Sequence, residues 1–132
     1  MKVLIVESNL DLADLWARHL ERQGIDVTLA QDSDGAINLL SADYYDVIIL
    51  DLILAEGSAI GVADFAQYRH PDSSVIFVTN TSFFSDGSIF TLIPSARAFV
   101  QTSTPPEDLH AMVEHFGRVA ALGAEHFGRV PT

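Results

Sequence analysis

The chain has 132 residues, which fits one domain with its own hydrophobic core. It contains no cysteine, so disulfides, thiolate metal sites and cysteine nucleophiles are excluded. Its formal net charge is −11 and its few basic residues are scattered, which argues against nucleic-acid binding. No apolar run approaches the roughly 18 residues of a membrane span, so we expect a cytoplasmic protein without membrane contact.

Five short runs of apolar residues recur along the chain, and we expect each of them to form a strand. Four runs are nearly continuous and rich in β-branched residues, as in parallel strands that are covered on both faces. The second run alternates polar and apolar residues, which favours an edge of the sheet. The runs are residues 3–6, 25–29, 47–50, 75–78 and 98–100.

Helical periodicity separates these runs. The first helix ends at Gly24, short helices are expected near 36–40 and 62–69, and the last helix begins at Pro106. The apolar stripes of the two long helices are Leu12, Leu15, Trp16, His19 and Leu20, and Leu109, Met112, Val113, Phe116 and Ala120. Alternating strands and helices imply right-handed crossovers and one open parallel sheet with helices on both faces.

Residues 81–94 have the least regular pattern, because Gly87 interrupts a stretch rich in aromatic and aliphatic side chains. We expect a short or irregular helix in this segment. We also expect part of it to form a homodimer or partner interface, with core packing as the alternative for the same side chains. The interface candidates are Phe83, Phe84, Phe90 and Leu92.

The six-residue segment Glu-His-Phe-Gly-Arg-Val begins at Glu114 and recurs at Glu125. Eleven residues bring an α-helix back to nearly the same face, so the second copy could extend the last helix. Glycines weaken a helix by about 1 kcal/mol each, and three of them lead us to favour a frayed tail. We therefore predict one domain over residues 1–122 and a C-terminal extension or tail over 123–132.

Ligands of open parallel sheets bind beyond the carboxyl ends of the strands, near the point where the strand order reverses. The residues that follow the predicted strands there deserve most weight as site candidates. They are Glu7 and Ser8, Asp51, Thr79 and Asn80, and Gln101 and Thr102. Among them, Asp51 is the strongest candidate for chemistry.

In order and spacing, these runs resemble the receiver domain of two-component response regulators. The matching residues are Val6-Glu7, Ile48-Ile49-Leu50-Asp51-Leu52, Phe77-Val78-Thr79 and Ala98-Phe99-Val100. The resemblance covers about residues 1–122. It implies a flavodoxin-like three-layer α/β sandwich whose five-stranded parallel sheet has the order 2-1-3-4-5.

The resemblance also implies roles for the matching residues. Asp51 would be the phosphoacceptor, and Glu7, Asp51 and the backbone carbonyl of Ile53 would hold Mg²⁺. Thr79 would contact the phosphoryl group and form a conformational switch with Phe99. The phosphoryl donor would be a histidine kinase or a phosphotransfer protein.

Two positions depart from the family pattern. Ser8 stands where a second metal-binding acid is expected, and Thr102 stands where the family has a lysine. Thr102 can donate a hydrogen bond but carries no charge, and the loss of a charge-assisted bond costs about 1.5–3 kcal/mol. We therefore expect Mg²⁺ to bind weakly or not at all, and phosphorylation to produce a small conformational response.

Several candidates also have purely structural interpretations. Asp51 could cap the turn after its strand, Thr79 suits a strand end, and Phe99 could belong to the core. Ser8 and Asp11 resemble a capping box, so we expect Ser8 to cap the first helix. The five histidines lack the spacing of a metal site.

Two functions therefore remain open. In the first, the chain accepts a phosphoryl group on Asp51, has no enzymatic activity beyond self-phosphorylation, and signals through contact with another protein. In the second, the chain is a pseudo-receiver that keeps the fold as a protein-interaction module and does not use phosphate. Neither hypothesis specifies the downstream partner.

Overall fold

The computed structural model describes residues 1–79 and 96–129, without the side chains of residue 96 and residues 119–129. Within these ranges, five strands and four helices lie where the apolar runs and the helical periodicity predict them. In chain order they are β1 (Lys2–Val6), α1 (Leu10–Arg22), β2 (Asp26–Ala30), α2 (Ser33–Ala42), β3 (Val47–Asp51), α3 (Ala59–Arg69), β4 (Ser74–Thr79), β5 (Ala96–Gln101) and α4 (Pro106–Arg129).

The strands form one parallel sheet in the order β2-β1-β3-β4-β5, which confirms the predicted flavodoxin-like architecture. β2 lies at an edge, as its alternating pattern predicts. In the register of the inner strands, Val6 pairs with Leu50. The residues that follow β1 and end β3 therefore lie side by side at the carboxyl edge of the sheet.

Hydrophobic cores cover both faces of the sheet. Alternate residues of β1 point to opposite faces: Leu4 and Val6 pack with α2 and α3, whereas Val3 and Ile5 pack with α1 and α4. Trp16 is only 2% exposed and fills the second of these cores, as predicted. Burial on both faces explains why the inner strands read as continuous apolar runs.

The apolar stripe of α1 differs from the prediction at one residue. Leu15 is 53% exposed, and the buried face consists of Ala13, Trp16, Ala17 and Leu20. These four positions follow the i, i+3, i+4, i+7 spacing of one helix face. Leu15 lies about 160° around the helix from Ala13, so it could not share that face.

The last helix runs through most of the repeated segment. α4 continues to Arg129, so the second copy of the repeat is helical up to that residue rather than a frayed tail. The eleven-residue spacing therefore predicted the conformation of the second copy better than the helix-weakening effect of the glycines did. The domain boundary at residue 122 remains a prediction.

Within the described ranges, the helices include none that combines the length and apolar character needed to cross a bilayer.

Two glycines adopt left-handed backbone conformations, and they allow a matched test of loop packing. Gly24 ends α1 with a φ of 83° and has open space around it, whereas Gly57 has a φ of 89° and packs against Ser33. A Cβ on Gly57 would clash with the Ser33 hydroxyl oxygen. We expect Gly57→Ala to lower the free energy of unfolding by about 2 kcal/mol, and Gly24→Ala by about 1 kcal/mol.

Urea denaturation of both variants would measure this difference. Equal losses of free energy of unfolding would show that the contact between Gly57 and Ser33 adds nothing to the cost of an alanine in the left-handed conformation.

Candidate functional site

The carboxyl edge of the sheet contains an open cleft of about 470 Å³. This volume is ample for a phosphoryl group and a hydrated cation. The predicted residues Glu7, Asp51, Ile53 and Thr102 all line it. The complete lining is Glu7, Ser8, Asn9, Leu12, Asp51, Ile53, Leu54, Ala55 and Thr102.

Glu7 is the most buried acid of this cleft, with only 2% of its surface exposed. Its backbone N–H donates to the carbonyl of Ala30, and its carboxylate accepts a hydrogen bond from the N–H of Asn9 at 3.3 Å. Burial, followed by a hydrogen bond to Asp51 and the charge of Asp51, raises the pKa of Glu7 to about 7. Glu7 therefore lies within hydrogen-bond reach of Asp51, and the Glu7 carboxyl group is partly protonated near neutral pH.

Asp51 ends β3 and organises the turn that follows. Its Oδ1 accepts a hydrogen bond from the N–H of Ile53 at 2.9 Å, as the structural interpretation of Asp51 predicts. The N–H of Leu52 donates to the carbonyl of Val78 at 2.8 Å, so the turn is also fixed to β4. The turn holds the Asp51 side chain beside Glu7, so its structural role is compatible with the chemical role predicted for it.

Ser8 does not cap α1, contrary to the prediction. The cap is Asn9, whose side-chain oxygen accepts the N–H of Leu12 at 3.2 Å. The Ser8 hydroxyl instead donates to the carbonyl of Gln31 and accepts from the N–H of Ala55, both at 2.9 Å. Asparagine is at least as good a cap as serine, so the sequence offers two adjacent cap candidates and does not distinguish between them.

Thr79 and Phe99 lie on the neighbouring strands. Thr79 is 3% exposed at the end of β4, and its carbonyl accepts the N–H of Thr102 at 3.0 Å. Phe99 pairs in register with Phe77, and their rings stack with centroids 5.5 Å apart. Phe99 is thus packed against the core at its edge, close to the site but outside the cleft lining.

Comparison with known proteins identifies the family of this chain. A sequence profile described as "Response regulator receiver domain" matches residues 3–114. The chain belongs to the response regulator receiver domain family. Receiver domains are in general signalling modules of two-component systems rather than enzymes.

A curated relative agrees with this assignment, and solved structures share the fold. The chain is 30% identical over 114 residues to the response regulator protein PilR of Pseudomonas aeruginosa, an alignment that covers 86% of this chain and 24% of PilR. The receiver domain thus spans about a quarter of that relative. A CheY-like receiver domain from Methanospirillum hungatei superposes with a TM-score of 0.84 at 20% identity, over 92% of this chain and 97% of that one.

A third similar protein was crystallised as a complex. It is the response regulator TrrA of Thermotoga maritima, in complex with Mg²⁺ and beryllofluoride. It matches with a TM-score of 0.76 at 21% identity, over 87% of this chain and 97% of the other. At this identity the match supports the shared fold.

The donor atoms of this receiver domain suit Mg²⁺. Two carboxylates and a backbone carbonyl are hard oxygen ligands, and Mg²⁺ commonly binds one or two carboxylates together with water and phosphate oxygens. Glu7 is buried against Asp51 without a cationic side chain among its hydrogen-bond partners or pKa causes, so a divalent cation would relieve their mutual repulsion. The described residues contain no cluster of three or more acidic, histidine or cysteine side chains able to hold a metal.

The lysine of this chain cannot serve the site. Lys2 begins β1, and its ammonium pairs with Asp43 and lies over the ring of Tyr45. Glu7 follows the other end of the same strand, and a five-residue strand is about 16 Å long. The charge of Lys2 therefore lies at the opposite edge of the sheet from the cleft.

Some predictions fall outside the described residues. The short or irregular helix expected over residues 81–94 lies outside them, and so do the interface candidates Phe83, Phe84, Phe90 and Leu92.

Other residues of the cleft were not predicted from the sequence. Asn9, Leu12, Leu54 and Ala55 line it because two loops of the parallel sheet meet at this edge. Asn9 was the one with a usable signal, since an asparagine directly before a helical stripe is a strong N-cap candidate.

Proposed function

We propose that this receiver domain accepts a phosphoryl group on Asp51 from a histidine kinase or phosphotransfer protein. It then signals through contact with another protein. The direct contact between the carboxyl groups of Glu7 and Asp51 at the mouth of an open cleft carries this proposal. Such a pair at the carboxyl edge of a parallel sheet is costly to bury and suits a cation and a phosphoryl group.

In the transfer step, an oxygen of the Asp51 carboxylate forms a bond to phosphorus while the bond from phosphorus to the donor imidazole nitrogen breaks. The bonding electrons leave with that nitrogen, which then takes up a proton. Asp51 must be ionised to attack, and one of its oxygens already accepts from the N–H of Ile53. That hydrogen bond fixes the carboxylate plane before the donor arrives.

Glu7 places a second carboxyl group against the nucleophile. When Glu7 is ionised, its charge repels the charge of Asp51 and that of the incoming phosphate. Bound between Glu7, Asp51 and the Ile53 carbonyl, Mg²⁺ would supply the positive charge that offsets the carboxylates and the incoming phosphate. The complex of TrrA with Mg²⁺ and beryllofluoride supports this choice of cation.

Thr102 and Ser8 reduce the strength of the proposed switch. Thr102 lines the cleft but supplies no charge, and Ser8 removes one carboxylate from the metal site. We therefore propose weak Mg²⁺ binding and a small response of the Thr79–Phe99 pair to phosphorylation. A ligand shifts a conformational equilibrium only by the difference in its affinity for the two states.

The second candidate function is that of a pseudo-receiver, a protein-interaction module that works without phosphate. The location of Lys2 at the opposite edge favours it, because no lysine is left to pair with an acyl phosphate. In either function we propose a cytoplasmic protein, with a homodimer as one form of contact.

Incubation with a small acyl-phosphate donor and Mg²⁺, followed by intact mass spectrometry, distinguishes the two functions. We expect the wild type to gain the mass of one phosphoryl group, and Asp51→Ala and Asp51→Asn to gain none. The second variant keeps the oxygen that accepts from Ile53, so its failure cannot come from a lost turn.

Asp64→Ala is the control, because Asp64 is an exposed acid on α3. It should gain mass like the wild type. A wild type that gains no mass under any donor concentration would favour the pseudo-receiver.

A further inference from the structure

The Ser8 hydroxyl joins two loops that are distant in sequence. It donates to the carbonyl of Gln31, 23 residues away, and accepts from the N–H of Ala55, 47 residues away. A hydroxyl can do both because it has one donor and two acceptor lone pairs. Ser8 therefore links the loop after β2 to the loop after β3 beside the phosphoacceptor cleft.

The loop after β3 is fixed at three points along its first half. The N–H of Leu52 donates to Val78, and the N–H of Ile53 donates to Asp51. The third point is the hydrogen bond from Ala55 to Ser8. The first two contacts lie next to Asp51, so Ser8 supplies the one of these three that lies beyond Ile53.

The same loop is held on its far side by α2. The N–H of Ser33 donates to the carbonyl of Glu56 at 3.4 Å, and Gly57 packs against the Ser33 side chain. A second, smaller cleft lies between these loops and shares Ser8 and Ala55 with the first. The bridge formed by Ser8 thus stands in the wall between the two clefts.

We infer that Ser8 is a positioning residue, whose hydroxyl holds the loop after β3 in place around Ile53 without a metal ion. This inference rests on the proposed function of Asp51 as phosphoacceptor. A carboxylate at this position could accept from Ala55, but it has no proton for the carbonyl of Gln31, and two facing oxygens repel each other. At this position the chain therefore has a neutral hydroxyl that links the two loops, where a carboxylate would supply negative charge to a cation.

Amide hydrogen exchange of Ala55 in metal-free buffer tests the bridge. We expect Ser8→Ala to speed the exchange of the Ala55 amide by about 2- to 10-fold, the range of one neutral hydrogen bond. Ser8→Thr keeps the hydroxyl and should restore protection. Ser41→Ala is the matched control, because Ser41 donates to a carbonyl of its own helix, Ile37, away from the cleft.

Phosphorylation by a small acyl-phosphate donor at saturating Mg²⁺ gives the second measurement. We expect Ser8→Ala to lower the rate at saturating donor by about 2- to 10-fold with little change in KM, and Ser8→Thr to recover it. A positioning role predicts a change in the maximal rate without a change in KM. Ser8 orders the site, and its hydroxyl binds Gln31 and Ala55 rather than the phosphoryl donor.

Unchanged exchange at Ala55 in Ser8→Ala would overturn the inference, whatever the phosphorylation rates. Faster exchange with an unchanged rate would also overturn it, because the bridge would then hold the loop without serving the reaction. If the wild type accepts no phosphoryl group, both the proposed function and the positioning role of Ser8 are contradicted. Exchange at Ala55 would then show whether the bridge itself exists, which separates the two failures.

Discussion

Replacing Glu7 with glutamine should raise the free energy of unfolding of the metal-free protein at pH 8 by up to about 3 kcal/mol. Near pH 5 the two proteins should differ in this free energy by no more than about 1 kcal/mol. The pKa of Glu7 rises from 4.5 to about 7 on folding, first through burial and then through Asp51. Between these values the folded protein binds more protons than the unfolded chain. The wild type therefore loses stability as the pH rises through this window, whereas the neutral glutamine does not titrate.

Urea denaturation in the presence of a chelator at pH 5, 6, 7 and 8 would measure this effect. Glu21→Gln is the control, because Glu21 is an exposed acid on α1 outside the cleft. Addition of Mg²⁺ should reduce the advantage of Glu7→Gln, since the wild type gains a ligand-bound state that the variant binds less well. A difference between the two proteins that does not change with pH would contradict the raised pKa of Glu7.

Introducing a lysine at position 102 should raise the affinity for beryllofluoride in the presence of Mg²⁺ by roughly 10- to 100-fold. Thr102 lines the cleft that contains Asp51, and its N–H is fixed to the carbonyl of Thr79 at 3.0 Å. A longer side chain from this fixed backbone can extend into the cleft. A charge-assisted hydrogen bond to an anion contributes about 1.5–3 kcal/mol, which corresponds to the expected increase.

Fluorescence of Trp16 or amide chemical shifts would follow the beryllofluoride titration. Thr102→Met tests side-chain length without charge, and Ser103→Lys places the same charge on the next, exposed residue outside the cleft lining. Neither control should reproduce the gain. If Thr102→Met binds as tightly as Thr102→Lys, the absence of a positive charge is not what weakens the site.

The parts of this receiver domain that followed from its sequence depend on local pattern and on sheet topology. Buried β-branched runs predicted the inner strands, and parallel pairing brought Glu7 beside Asp51 because the carboxyl ends of such strands share one edge. The exposure of Leu15 could not be read from hydrophobicity alone. The small residues Ala13 and Ala17 let α1 approach the sheet, and they carry little hydrophobic signal.

The role of Ser8 was mispredicted for a different reason. Its partners Gln31 and Ala55 are distant in sequence, and only the folded chain brings them within hydrogen-bond distance. The pKa of Glu7 depends in the same way on burial and on a neighbour 44 positions away, at Asp51. Sequence patterns thus placed the acids at the site, and tertiary contacts determine the protonation of Glu7 and the order of the loop.

The length of α4 has a mechanical consequence for any signal that begins at this site. A helix of 24 residues is about 36 Å long, and α4 begins a few residues after Thr102. Its first half is held against the sheet by Leu109 and Val113, and the hydroxyl of Ser74 donates to the carbonyl of Phe116. Tilting a rod of this length by about 5° displaces its far end by about 3 Å relative to its start. A sub-ångström adjustment beside Thr102 would therefore become a movement at Arg129 comparable to the rise of two helical residues.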